Sequence, residues 1–403
     1  MLQVNAERLL SNLRSLAAIG GCGSGVKRIA FSEEDVVARL WLVDRFREAD
    51  LDAGMDGVGN VYGLSKAPNR RLLIGSHTDT VPSGGWLDGS LGVIFALEIA
   101  LRLREENRLE ENGVDVVSFA DEEGTYFSWL GSRYVCGEMT DAKFDAARNA
   151  AGRPLREALK ALPSPFGPSL SLDRYCGYFE SHIEQGPYLE RTGNSIGAVT
   201  SIVGIRNHIV RFFGRADHAG TTPMSMREDA SLQLFDFVTA FRQALEENAS
   251  SESVWVFGNA MFSPGASNVV PAQADLLVQY RDPNPDILAK MDALMKSALR
   301  RVERQHQRAT QVTTIMESEP VAMDANLRHE IAAAAKDLGV SYADIPSGAG
   351  HDAAAIGAHL PTAMLFVPSK GGRSHTFEED TDERDIVVGA NVALNAAYRI
   401  LQR

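Results

Sequence analysis

Ile74-Gly75-Ser76-His77-Thr78-Asp79-Thr80-Val81-Pro82-Ser83-Gly84-Gly85-Trp86-Leu87-Asp88-Gly89-Ser90-Leu91-Gly92 is the stretch on which the reading of this chain turns. The run Arg71-Leu72-Leu73-Ile74 leads into it, so His77 is expected where a buried strand ends. Residues two apart on a strand share a face. Asp79 is therefore expected to reach the free ring nitrogen of His77, the usual way to fix the tautomer of a metal-binding imidazole. Pro82, Gly84, Gly85 and Gly89 then bend the chain so that Asp88 returns to the same spot. Taken alone, His-x-Asp reads more readily as a satisfied histidine in a polar turn, and the rest of the chain has to decide.

Outward from this stretch, amphipathic segments alternate with buried-strand patterns. Helical spacing is predicted from Asn5 to Ala18, from Ser32 to Ala49 behind a Ser-Glu-Glu-Asp cap, and from Leu91 to Glu106. Leu51 to Gly63 reads as a strand pair. Val114 to Ala120 is a continuous apolar strand ending at Asp121-Glu122-Glu123-Gly124. Such alternation predicts an α/β sheet covered on both faces, with function at the carboxyl ends of its strands. Gly177 to Glu190 reads as a short strand carrying His182, Glu184 and Gln185.

The texture changes near Ile202. The order from there is strand (His208 to Phe213), helix (Arg227 to Asn248), strand (Val254 to Phe262), strand (Asp275 to Asp282), helix (Pro285 to Arg308) and strand (Gln311 to Ser318). That βαββαβ order predicts a small α+β sandwich inserted into the first domain, with an antiparallel sheet and two helices on one face. Residues 1–203 and 319–403 are assigned to the first domain and 204–318 to the insertion. A helix from Asn326 to Leu338, a strand from Pro361 to Val367 and a last helix from Thr381 to Leu401 close the chain.

Composition narrows the function classes. At 403 residues, two domains are the prior. A net charge of −13 argues against nucleic acid or an anionic membrane as partner, since both want a basic face. Three cysteines without a CxxC pair argue against a disulfide scaffold or a thiolate zinc cluster. The opening residues do not read as a signal peptide, and no apolar run reaches membrane-spanning length, so a reducing cytoplasm is expected.

Of nine histidines, His306 and His329 sit in charged helical stretches and read as solvated. His359 precedes Leu360-Pro361 and reads as structural, and His208 as packed on a strand. His77, His182, His218, His351 and His375 are flanked by glycine, serine or acidic residues at turn-like positions. Three histidines with two or three carboxylates at strand ends match what hard-to-borderline divalent ions want. A pair of ions about 3.5–4 Å apart needs a bridging carboxylate, for which Asp88 is suited. Glu122 and Glu123 are adjacent, so one can ligate while the other works as acid and base.

These motifs, in order, resemble those of the M20 metallohydrolases. They are H-T-D with Asp88 in G-G-W-L-D-G, D-E-E-G at Asp121, E-S-H-I-E-Q-G-P at Glu180, G-R-A-D-H-A-G-T-T-P-M at Gly214, S-G-A-G-H-D-A at Ser347 and S-K-G-G-R-S-H at Ser369. They look most like the amidase branch that holds N-carbamoyl-L-amino-acid hydrolases, β-ureidopropionases and allantoate amidohydrolases. The resemblance implies a metal-binding α/β domain with an inserted dimerisation or lid domain, and a homodimer. It implies two divalent ions per subunit (Zn, Mn, Co or Ni), with His77, Asp88 and His182 on one and Asp88, Glu123 and His375 on the other. Glu122 resembles the catalytic acid/base, Asp79 the partner of His77, and His218 the oxyanion-stabilising histidine reaching from the neighbouring subunit. Gln185 resembles a ureido contact, Asn268 and Arg281 the pair that binds a substrate carboxylate, and His351 a pocket residue.

The implied activity is hydrolysis of a non-peptide C–N bond in a small carboxylate-bearing amide or ureido substrate, an N-carbamoyl amino acid first. An allantoate amidohydrolase, or an acyl or lactam amidase, would use the same centre. A non-catalytic binding protein on this fold would have no need of Glu122. The chain departs from the branch at Thr125-Tyr126-Phe127-Ser128-Trp129 and at Thr376-Phe377. Trp86 and Trp129 are expected to put bulk near the mouth of the pocket.

Overall fold

The protein is described here by a computed structural model covering residues 1–108 and 112–403. Two compact units divide it, one formed by Met1–Thr200 with Ala322–Arg403 and the other by Ser201–Val321. The first unit opens with a helix, Ala6–Ala18, whose capping Asn5 accepts from the Arg8 amide and whose Leu9, Leu13 and Leu16 are buried. A two-residue hairpin follows, β1 (Gly21–Cys22) and β2 (Gly25–Val26), and then the Glu33–Glu48 helix capped by Ser32.

The main strands are β3 (Asp52–Met55), β4 (Val61–Leu64), β5 (Arg71–His77), β6 (Gly113–Phe119), β7 (Tyr175–Ile183) and β8 (Ile196–Ile202). The second unit holds β9 (Gly204–Phe213), β10 (Val254–Ser263), β11 (Gln273–Asp282) and β12 (Gln311–Ser318). Chain beyond it supplies β13 (Val321–Ala322), β14 (Tyr342–Ser347) and β15 (Thr362–Val367).

The large sheet runs β13-β8-β15-β7-β5-β6-β4-β3, with β14 also on β8. Its centre is parallel: β5 pairs with β6 and β7, and β7 with β15. Every residue of β6 and β15 is buried, and all of β5 except its first, the pattern of strands covered on both faces. The Ser90–Glu105 helix, apolar nearly all round, and the Glu383–Leu401 helix share one core with these strands. Parallel β5, β6, β7 and β15 all end on one side, so the residues following them gather there.

The second unit is a four-stranded antiparallel sheet in the order β10-β11-β9-β12. The Ala230–Asn248 and Pro285–His306 helices bury Phe237, Phe241, Leu288, Met291 and Met295 against Val210, Phe212, Val278 and Tyr280. β11 is buried at alternate residues, as befits a sheet with helices on one face. Among the described residues no helix is long and apolar enough to cross a membrane.

Two elements differ from the sequence reading. β7 is nine residues long and stops at Ile183, so Glu184 and Gln185 lie in the turn beyond it, Gln185 with φ +58°. The Leu130–Val135 helix, β14 and the Asp352–Ile356 helix escape periodicity because each is too short to show a repeat.

Candidate metal centre

His77 is the last residue of β5, and His182 lies one residue from the end of β7. Glu122 and Glu123 follow β6 after a turn at Asp121, whose carboxylate accepts the backbone N–H groups of Thr125, Tyr126 and Phe127 at 2.7–3.0 Å. His375 follows β15 in a left-handed conformation, φ +55°. Asp88 sits at the entrance to the Ser90–Glu105 helix. There Gly89 (φ +61°) is required twice over, because a Cβ would lie 2.4 Å from the His77 ring.

Asp88 divides its two oxygens. Oδ1 lies 3.0 Å from His182 Nε2 and 4.0 Å from His77 Nε2, and Oδ2 lies 3.2 Å from His375 Nε2. Glu123 Oε2 is 3.5 Å from the same His375 nitrogen. Two ligand triads result, His77–Asp88–His182 and Asp88–Glu123–His375, each with donor atoms within 4.8 Å of one another. Glu122 Oε2 lies 3.7 Å from His77 Nε2, on the edge of the first triad. His77, Asp88 and His182 are at most 2% exposed, whereas the His375 side chain is half exposed.

Backbone carbonyls set the imidazole tautomers. His77 Nδ1 donates to the Asp79 carbonyl at 3.0 Å, and His182 Nδ1 to the Ile183 carbonyl at 2.9 Å. In each ring Nε2 is thereby left as the nitrogen that faces Asp88. This corrects the role expected for the Asp79 carboxylate, which is 3.8 Å from His77 Nδ1. β5 ends at His77, so strand alternation does not carry on to Asp79. The Asp79 carboxylate instead accepts the backbone N–H groups of Glu122 and Glu123, each at 3.3 Å, and so holds the acidic pair in place.

The electrostatics follow from burying acids together. Burial, and next the charge of Glu123, pushes the Glu122 carboxyl well above its ordinary range. Burial and then Asp88 do the same to Glu123. Burial would raise Asp88 too, but hydrogen bonds from His182 and His375 hold it well below. Burial opposes a charge on His182, yet Asp88 lifts it to about 9, while burial takes His77 down to about 4.

The residues fit a pair of divalent cations on three counts. Asp88 Oδ1 and His182 Nε2 face each other at 3.0 Å, where either a proton or a cation can sit between them. Glu123 Oε1 and Gln185 Oε1 are buried and have no hydrogen-bond partner among the described residues. The donors are imidazoles and carboxylates, the set that Zn, Mn, Co and Ni accept.

The other expected residues fall out differently. Gln185 joins the cluster: its amide nitrogen is 3.3 Å from both Asp88 oxygens and 3.1 Å from Ser374 Oγ. His351 is 1% exposed and packs edge-on against His182, centroids 4.6 Å apart, with Nε2 on Ser347 Oγ at 2.9 Å. It packs behind His182 instead of lining a pocket. Trp129 is also buried, against Gly350, where a Cβ would lie 2.3 Å from its ring. Its bulk points inward rather than to a mouth. Trp86 is partly buried and bonds Asp380.

In the second unit His218 and Asn268 are exposed and come together, with Ala219 donating to the Asn268 carbonyl at 2.9 Å and His218 bridging to Val269. Arg281 does not join them. It pairs with Ile205 at the far end of β11, eight residues from Gln273, or about 26 Å along the strand. In one chain, Asn268 and Arg281 therefore cannot grip the same carboxylate.

Sequence reasoning missed Glu379. It is 1% exposed and accepts the Leu87 and Asp88 backbone N–H groups at 3.2 and 3.0 Å, so it fixes the turn that presents Asp88. Gly85 makes room for it, since a Cβ there would lie 2.0 Å from the carboxyl. In sequence, Glu378-Glu379-Asp380 reads as a solvated acidic run. Glu180 was missed too: it joins Ser76 (2.7 Å) and the Ala353 amide (2.9 Å) beneath the centre.

Two triads that could each hold a metal ion gather at the strand ends of a parallel sheet and share the Asp88 carboxylate. Residues 73–399 match peptidase family M20/M25/M40, and the chain belongs to that family. An N-carbamoyl-L-amino-acid amidohydrolase of Paenarthrobacter aurescens is 33% identical over 401 residues, 97% of either chain. An allantoate amidohydrolase of Bacillus subtilis is 31% identical over 388 residues, 93% of either. The crystal structure of a hydantoinase/carbamoylase-family amidase from Burkholderia phymatum has a TM-score of 0.89 at 43% identity, covering 100% of this chain and 99% of that one.

Proposed function

We propose that this amidohydrolase of non-peptide C–N bonds cleaves the ureido bond of an N-carbamoyl amino acid or a closely related carboxylate-bearing amide, with two divalent cations per subunit. The observation that carries the reading is Asp88, whose two oxygens serve separate triads beside a buried Glu122. His77 and His182 would hold one cation with Asp88, and Glu123 and His375 the other. Bound cations would supply the charge that polarises the carbonyl and acidifies the attacking water.

Glu122 takes the proton of that water and returns it to the leaving nitrogen. Its raised proton affinity, set by burial and by Glu123, suits a group that must hold a proton and release it. Asp79, through the backbone of Glu122 and Glu123, is a positioning residue, as is His351 behind His182. His218 Nδ1 accepts from Gly220 and Thr221 at 3.0 and 3.2 Å, so its proton sits on Nε2 as an outward donor for the oxyanion. Gln185 meets the ureido group, and Arg281 grips the carboxylate bidentately.

Because Arg281 and the His218–Asn268 pair occupy opposite ends of β11, a complete substrate set needs two copies, which supports a homodimer. Similarity to an N-carbamoyl-L-amino-acid amidohydrolase supports the substrate class, and three unpaired cysteines fit a reducing cytoplasm.

The test uses metal-loaded protein and follows ammonia release from N-carbamoyl amino acids and allantoate, and free amino acid release from N-acyl amino acids. Turnover of N-carbamoyl substrates, lost on chelation and restored by Zn2+, Mn2+ or Co2+, supports the proposal. Turnover of allantoate alone would reassign the substrate. No turnover of any amide by metallated protein would favour a binding protein.

A further inference from the structure

We propose that Cys136, Glu138 and His359 form a second metal site, for a single Zn2+ ion, separate from the Asp88 centre. Their donor atoms come from two segments more than 200 residues apart and lie within 4.8 Å of one another. Tetrahedral zinc with bonds of about 2.0–2.3 Å sets its donors roughly 3.3–3.8 Å apart. His359 Nε2 and Glu138 Oε1 are already 3.5 Å apart. Both side chains are partly exposed, 39% and 36%, so they can close on an ion, and a fourth position stays open to water. Lys143 bonds the Glu138 carbonyl at 2.8 Å, which leaves the carboxylate to His359.

The donor set selects the ion. Thiolate, imidazole and carboxylate together suit borderline Zn2+, whereas Mg2+ and Ca2+ take oxygen alone. Without metal the Cys136 thiol donates to the Ala355 carbonyl at 3.6 Å, and burial pushes it up to about 12. Entry of Zn2+ forms the sulfur–zinc bond and releases the thiol proton to solvent.

The position gives the ion a structural task. Cys136 caps the C-terminal end of the Leu130–Val135 helix, and His359 follows the Asp352–Ile356 helix, donating its backbone N–H to Ile356. Ser132 and Asp352 already join these helices at 2.6 Å. The first leads back to Glu122, whose carbonyl accepts from Trp129, and the second begins at His351 behind His182. An ion clamping their far ends would stiffen the two segments that carry Glu122 and brace His182.

The test uses full-length protein stripped with a chelator and reloaded with Co2+. The Asp88 triads contain no sulfur, so a thiolate-to-cobalt charge-transfer band in the near ultraviolet that Cys136→Ser abolishes reports the proposed site and not Cys22 or Cys176. The wild type should show that band and bind one more equivalent of Co2+ than Cys136→Ser. His359→Ala, altered at a partly exposed side chain, should lose the same equivalent while keeping its thiol. Zn2+ should displace the cobalt band and shield Cys136 from alkylation. No band at saturating Co2+, an unchanged metal count in both variants, or a band that survives in Cys136→Ser would overturn the proposal.

Discussion

The two units carry their chemistry in opposite ways. In the first, His77, Asp88, His182 and Glu122 are buried and each is pinned by neighbouring backbone or side-chain groups. In the second, His218 and Asn268 are exposed, held by two loops that pair with each other, and about a strand's length from Arg281. The first arrangement is pre-organised, with both triads that could hold a cation drawn from one chain. The second offers donors that wait for something to arrive, which is how substrate and a partner copy would be recognised.

The largest effect should come from Asp88→Asn. With the shared carboxylate gone, turnover should vanish and metal at this centre should fall to one equivalent or less, measured by elemental analysis in a Cys136→Ser background. If the variant keeps both ions, the two triads do not depend on Asp88. Next, Glu122→Gln should lower kcat by about 10²–10⁴-fold with metal content unchanged, separating proton transfer from ligation. Equal loss of metal and rate would make Glu122 a ligand.

His218→Ala should cost about 10²–10³-fold in kcat, with bound metal and thermal midpoint intact. That outcome would show that the exposed unit contributes to the reaction and not to the fold. An unchanged kcat would remove the second unit from the mechanism. The smallest effect belongs to Asp79→Ala, which frees the Glu122 and Glu123 backbone and should cost about 10–100-fold in metal affinity or activity. Its mark is recovery of metal binding in Asp79→Asn, which keeps an acceptor oxygen.

Much of this contrast was legible in the sequence, for reasons that can be traced residue by residue. An apolar run followed by a polar turn marks a strand end, and so His77, Glu122 and Glu123 were placed from local pattern alone. The inserted unit announced itself because its strands alternate and its helices are long. What pattern cannot show is which groups meet from afar. Glu379 reads as surface acid, yet it lies under Asp88 across 291 residues. Asp79 does partner His77, but through its backbone carbonyl and not its carboxylate, because the strand ends at His77. Asn268 and Arg281 seemed a pair until the register of β11 on β9 set them apart. Cys136 and His359, each unremarkable alone, meet only because two short helices pack together.

The most direct measurement is anomalous diffraction from crystals grown with excess Mn2+ or Zn2+. Two peaks should flank the Asp88 carboxylate, one bonded also to His77 and His182 and the other to Glu123 and His375. A single peak there, no peak, or two peaks that do not share Asp88 would contradict the account.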